Sequence, residues 1–252
     1  MTKTNSGLVE YAKAQLGLPY WYGTFGQVAS ESLFNSKAKQ YRATGYYSKW
    51  KDYPKQYGKR VHDCVGLIKG YIWSDSPTAA PKYNSSQDKS AYGMFAAATI
   101  KGDIASFPFG IGQLVFKSSV KSSSKKIHHV GVYIGDGYVI EAMGHEEGVV
   151  KTKFANAGWT HWAQCPYITD DSSLGKSDKA LAGEYTVSAK SVNLRKGAGV
   201  SYTVLTILKR DAVVTCDGRY SDIGKVKWLH VSVQKAGKAY SGWMSSVYLK
   251  KK

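Results

Sequence analysis

The chain has 252 residues, 43% of them hydrophobic and 13% aromatic, which is enough to bury a core and excludes a disordered polymer. No apolar run approaches the roughly 18 residues that cross a bilayer, so membrane insertion is not expected, and three cysteines without a CxxC spacing argue against a disulfide framework or a structural zinc site. The formal net charge of +17 is divided between residues 1–168 (20 basic, 11 acidic) and 184–252 (13 basic, 4 acidic), which suits a polyanionic partner, either nucleic acid or an anionic cell wall.

The chain opens with "MTKTNSGLVEYAKAQLG", which lacks the apolar h-region of a signal peptide, so export by that route is not expected. Leu8, Val9, Ala12 and Leu16 recur at helical spacing, with Asn5 or Ser6 as N-cap and Gly17 just past the end. A Lys- and Tyr-rich stretch over 35–60 carries turn residues and little pattern. A second helix is predicted over 64–74, starting at Cys64 with Asp63 as its cap, and a third over 89–100. From residue 112 the period becomes strand-like: "GQLVFK", "HHVGVYIG", "YVIEAMG", "GVVKTKF" and "HWAQCPYI" are separated by turns, including the hairpin signal "GDG" at 135–137. Helices followed by a meandering antiparallel sheet make an α+β domain over 1–168. Residues 169–183, polar and aperiodic, read as a linker. Residues 184–252 carry only short strands, from "YTVSA" to "SGWMSSVYL", and suggest a small all-β barrel.

Cys64 poses the chemical question, because a thiol is a poor nucleophile unless an imidazole acts as its base and a third polar group fixes that imidazole. In "HHVGVYIGDGYVIEAMG" His129 alternates with Val130 and points to one face of a strand. A hairpin centred on Asp136 opposes positions summing to about 272, which places Glu141 on the same face as His129 and diagonal to it. His145, in the turn "GHEEG", is the competing third member and reads better as a solvated loop residue. His62 either tunes Cys64 or is merely exposed. Cys165 and Cys216 read as buried inert thiols. His128 and His129 have no further ligand at metal-binding spacing, so no metal and no cofactor are expected.

"GLPYWYG", "DCVGLI", "GQLVF", "HHVGVYIGDGYVIEA" and "GVV", in that order, resemble the NlpC/p60 branch of the papain-like cysteine peptidases over about residues 7–168. The resemblance implies a papain-like domain that cleaves amide bonds in bacterial cell-wall stem peptides, with an amidase of the same fold as the alternative. It places Cys64 as nucleophile, His129 as general base, Glu141 at the third position and Tyr20 at the oxyanion site. Trp21, Tyr22, Asp63 and His128 lie in these motifs beside those residues and are expected to bind substrate. Val65 stands where the family has serine. Some 40 residues separate Tyr20 from Cys64, against about a dozen in the usual pattern, and this 23–60 insertion is expected to line or lid the groove.

The stretch "VNLRKGAGVSYTVLTILKRDAVVTCDG", with "KWLHVSV" and "GWMSSVYL", resembles bacterial SH3-like (SH3b) domains. That implies a wall-anchoring barrel binding peptidoglycan and anionic wall polymers through Arg195, Tyr202, Tyr220 and Tyr240, with Trp243 and Leu249 in the core. The lack of a signal-peptide pattern and the strong positive charge favour a phage endolysin held in the host cytoplasm until a holin releases it, with a secreted autolysin as alternative. A non-catalytic wall-binding protein and a nucleic-acid binder are the rival classes, and no recognition motif supports the second.

Overall fold

A computed structural model describes residues 2–107, 110–135, 137–169, 176–200, 202–223 and 226–252. The chain divides into two compact units, Met1–Phe107 with Ile111–Thr169, and a second made mainly of Asp170–Lys252.

In the first unit α1 (Asn5–Ala14) is capped by Thr4, not by Asn5 or Ser6. The Thr4 hydroxyl accepts the Gly7 N–H at 3.2 Å. The 23–60 insertion folds around its own aromatic core. Its ends are clamped by pairing of β1 (Phe25–Val28) with β2 (Arg60–His62), and α2 (Glu31–Gln40) lies between them, capped by Ser30. Trp21, Tyr47 and Tyr53 are buried together there, with Phe34, Trp50 and Tyr57 packed around them. Lack of periodicity in the sequence thus conceals a ring cluster held by edge-to-face contacts.

Next come α3 (Gly66–Trp73) and α4 (Ala91–Ala97), the latter shorter than the predicted 89–100 because Ser90 caps it and the chain turns extended at Ala98. The strands β3 (Lys101–Asp103), β4 (Leu114–Ser118), β5 (Ile127–Gly135), β6 (Tyr138–Gly144), β7 (Gly148–Lys153) and β8 (His161–Ala163) form one antiparallel sheet in the order β3-β8-β4-β5-β6-β7. Alternation along the strands sorts their side chains between two faces. Leu114, Phe116, Val130, Val132 and Ile140 meet Leu8, Ala12, Leu67, Ile68 and Met94 from the helices. Val115, Tyr133 and Val139 face the other way, against Trp159 and Trp162.

Among its described residues the second unit contains only strands and 3-10 turns. It comprises β9 (Lys176–Ser177), β10 (Gly183–Val187), β11 (Ser191–Arg195), β12 (Val204–Lys209), β13 (Val213–Ile223), β14 (Val226–Lys235), β15 (Lys238–Ser245) and β16 (Leu249–Lys251). They pair in the order β12-β11-β15-β14-β13-β10-β16, with β9 on β13. Tyr185, Val187, Leu194, Leu229 and Met244 fill its core, and Trp228 and Trp243 are buried beside Ala198. The predicted linker over 169–183 is too long. Thr169 bridges to Thr4 in the first unit, β9 joins the second unit's sheet, and Asp178 caps a 3-10 turn over Lys179–Leu181 by accepting the Ala180 N–H at 2.9 Å. Residues 170–175 lie outside the described residues.

Candidate functional site

The entry to α3 is built by Asp63. One carboxylate oxygen accepts the Gly66 N–H at 2.5 Å, the other accepts the Gly23 N–H at 2.9 Å, and its carbonyl accepts the Leu67 N–H at 3.0 Å. Asp63 therefore caps as predicted, but Cys64 and Val65 form the turn before the helix, which begins at Gly66. A methyl group at Gly66 would lie 1.8 Å from the Thr24 carbonyl oxygen, so the helix start approaches the neighbouring backbone as only glycine permits.

Cys64 is half-buried on this turn. Burial and the Asp63 charge push its thiol up to about 12, although the backbone N–H groups of Val130 and Val65 pull the other way by stabilising the anion. Burial and Asp63 thus oppose the thiolate that a position at a helix start favours. Tyr20 bridges to His62, two residues before Cys64. Burial first, then Cys64 and Asp63, raise its hydroxyl, which keeps its proton and stays a donor.

The sheet supplies the imidazole. Val132 opposes Ile140 and Tyr133 opposes Val139, the register that the hairpin sum of 272 predicts. His129 Nε2–H donates to Glu141 Oε2 at 2.6 Å, Thr152 donates to Glu141 Oε1 at 2.5 Å, and Lys117 Nζ lies 3.3 Å from Oε2. Burial alone would raise the fully enclosed Glu141, yet the His129 and Thr152 hydrogen bonds and the charges of His129 and Lys117 hold it below its ordinary value. The carboxylate is therefore ionised, fixes the Nε2–H tautomer and leaves the Nδ1 lone pair for a proton. The His129 ring lies parallel to Trp159, 6.0 Å between centroids, and Lys117 sits over the same indole at 4.4 Å. Val130, whose backbone N–H favours the Cys64 anion, is one residue from His129. Among the described residues no hydrogen bond joins the Cys64 thiol to the His129 ring.

A groove of about 280 Å³ opens at Cys64, lined by Tyr22, Asp63, Lys69, Asp88 and His128, with Tyr41 contributed by the insertion. Tyr22, Asp63 and His128 thus stand where substrate-binding residues are expected. Trp21 does not. Its indole is fully buried and donates to Gln56 Oε1 at 2.6 Å, because alternation along "PYWYG" turns it into the aromatic core while Tyr22 points outward. His145 is not a solvated loop residue either. It is buried, stacked 4.2 Å from Trp50 and hydrogen-bonded to Asp52 at 2.7 Å, which ties the β6–β7 turn to the insertion. His62 is also buried, not exposed. Its Nε2 meets Gln15 at 3.1 Å, and burial holds the ring neutral with its pKa down at about 3. Sequence reasoning missed Lys117, Thr152 and Trp159. Lys117 directly opposes His129 and Thr152 opposes Val139, so strand parity alone carries their signal.

In the second unit Arg195 donates to the Tyr202 carbonyl at 2.8 Å, Lys227 lies 3.7 Å over the Tyr220 ring, and Tyr240 lines a groove of about 350 Å³ with Val213, Thr215 and Gln234. Trp243 is buried, and Leu249 packs partly buried against the core. Cys165 and Cys216 are buried free thiols. Among the described residues no cluster of three or more His, Cys, Asp or Glu could hold a metal ion, and no helix is long and apolar enough to cross a membrane.

Helices on one face of an antiparallel sheet, a cysteine leading into a helix and an imidazole–carboxylate pair on the sheet make an α+β domain with the groups of a cysteine hydrolase. Within that class the chain belongs to the NlpC/P60 family, whose model matches residues 39–166, half of the chain. A curated relative, probable endopeptidase p60 of Listeria innocua, is 28% identical over 102 residues, which cover 40% of this chain and 18% of the relative; the chain thus spans less than a fifth of that protein. Among solved structures, the peptidoglycan hydrolase RipB from Mycobacterium tuberculosis is 19% identical with a TM-score of 0.39, over 66% of this chain and 65% of its own. The P60 domain of an antigen from M. avium subspecies paratuberculosis is 17% identical with a TM-score of 0.40, over 66% of this chain and 96% of its own.

Proposed function

We propose that the protein is a peptidoglycan endopeptidase that cleaves amide bonds in wall stem peptides, with Cys64 as nucleophile, His129 as base and Glu141 as the group that orients it. The observation that carries this reading is the 2.6 Å bond to the buried Glu141 from His129, next to Val130, whose backbone N–H favours the Cys64 anion. Substrate entering the groove displaces water, and the Cys64 sulfur attacks the carbonyl carbon as its proton passes to His129 Nδ1. The Tyr20 hydroxyl and backbone N–H groups at the α3 entry face the developing oxyanion. His129 then returns the proton to the leaving amine, and the C–N bond breaks to leave a thioester. Water, deprotonated by His129, attacks that thioester and frees the thiol.

The second unit, whose sequence resembles SH3b domains, is the wall anchor in this reading, with its excess of basic residues drawn to anionic wall polymers. A phage lysin delivered by a holin is the setting that fits. Mass spectrometry of purified Gram-positive peptidoglycan tests the reaction: digestion by the wild type yields new amino termini within the stem peptide, and Cys64→Ala yields none. Equal digestion by both would leave a wall-binding protein.

A further inference from the structure

Beside the Cys64 groove lies a second cavity of about 330 Å³, and Gly23, Tyr41, Asp63, Lys69 and Asp88 border both. Lys37, from α2 in the insertion, is in its wall and is only 9% exposed. Its ammonium makes one hydrogen bond, to Gln40 Oε1 at 3.1 Å, and among the described residues no carboxylate lies within ion-pair distance. The nearby carboxylates are engaged elsewhere: Asp63 with the Gly23 and Gly66 N–H groups, Asp88 with Lys69 at 2.5 Å and the Tyr83 hydroxyl at 3.0 Å. The rings of Phe25 and Tyr41 flank the cation at 5.9 and 5.7 Å.

A buried cation is ordinarily paired, and this one has donors to spare. Burial lowers the Lys37 pKa, with Asp63 and Asp88 opposing, so an arriving anion would restore what burial removes. We propose that Lys37 anchors a free carboxylate of the bound peptide, making this cavity a specificity subsite contributed by the insertion. The Gln40 amide N–H₂ and the Tyr41 hydroxyl supply neutral donors beside it. A monoanion fits better than a phosphate, because Asp63 and Asp88 stand in the same wall and repel further negative charge.

The proposal rests on stem peptides being the substrate, and a binding experiment separates the two. Calorimetry on the full-length Cys64→Ala protein compares L-Ala–γ-D-Glu–L-Lys carrying a free glutamate α-carboxyl with its α-carboxamide. The expected result is at least about tenfold tighter binding of the free acid. Lys37→Met brings the acid down to the amide's level, and Lys37→Arg keeps the preference. Equal binding of acid and amide, a preference that survives Lys37→Met, or binding of neither would overturn the assignment. Wall digestion by the wild-type protein, read in parallel, reports on the peptidase reading independently: digestion without a carboxylate preference removes Lys37 alone.

Discussion

Cys64 combines two opposed influences. Three backbone N–H groups, those of Cys64, Val65 and Val130, favour the anion, whereas burial and Asp63 disfavour it more strongly. The balance predicts how alkylation depends on pH. Because the thiol is raised to about 12, its rate of reaction with iodoacetamide should climb steadily from about pH 6 to pH 10 without a plateau. A plateau below about pH 7 would reveal a preformed thiolate–imidazolium pair instead. Glu141→Gln removes the charge that fixes the His129 tautomer but not the volume. It is expected to lower kcat by about a hundredfold or more while KM stays near the wild-type value. An unchanged kcat would transfer the orienting role to another group.

At the scale of elements, the β5–β6 hairpin does most to position the site. Gly131 stands between His129 and Tyr133 on the face that carries the imidazole. A methyl group there would meet Val139 Cγ1 at 2.5 Å and Trp159 Cη2 at 3.0 Å. Gly131→Ala should therefore destabilise the first unit by about 1–3 kcal/mol through overpacking, visible as a lower Tm, and reduce turnover as Trp159 shifts from beside His129. A variant with wild-type Tm would show that the indole moves freely. Much of this hairpin was legible in the sequence. Gly-Asp-Gly locates the turn, alternation fixes the faces, and simple opposition brings His129 and Glu141 together. The insertion was not legible, because Trp21, Tyr47 and Tyr53 cohere through ring contacts that obey no fixed spacing along the chain. His145 was misread for a related reason: a turn sequence announces polarity, while its burial depends on Trp50 and Asp52, more than 90 residues earlier.

For the whole molecule, the proposed function assigns catalysis to the first compact unit and wall anchoring to the second. A chain ending at residue 169 should cleave soluble stem peptides at close to the full-length rate, yet sediment far less with purified walls. Because the basic excess is shared between residues 1–168 and 184–252, raising salt from about 0.05 to 0.5 M should weaken wall retention of both forms. Retention of the full chain that ignores salt would point to recognition by its aromatic surface alone.

A thiol whose anion is disfavoured by burial has a chemical corollary outside turnover. Peroxide oxidises thiolates far faster than thiols, and the first product, a sulfenic acid, would disable the sulfur. In the proposed setting at a bacterial wall, a sulfur that is unreactive while idle would resist that loss.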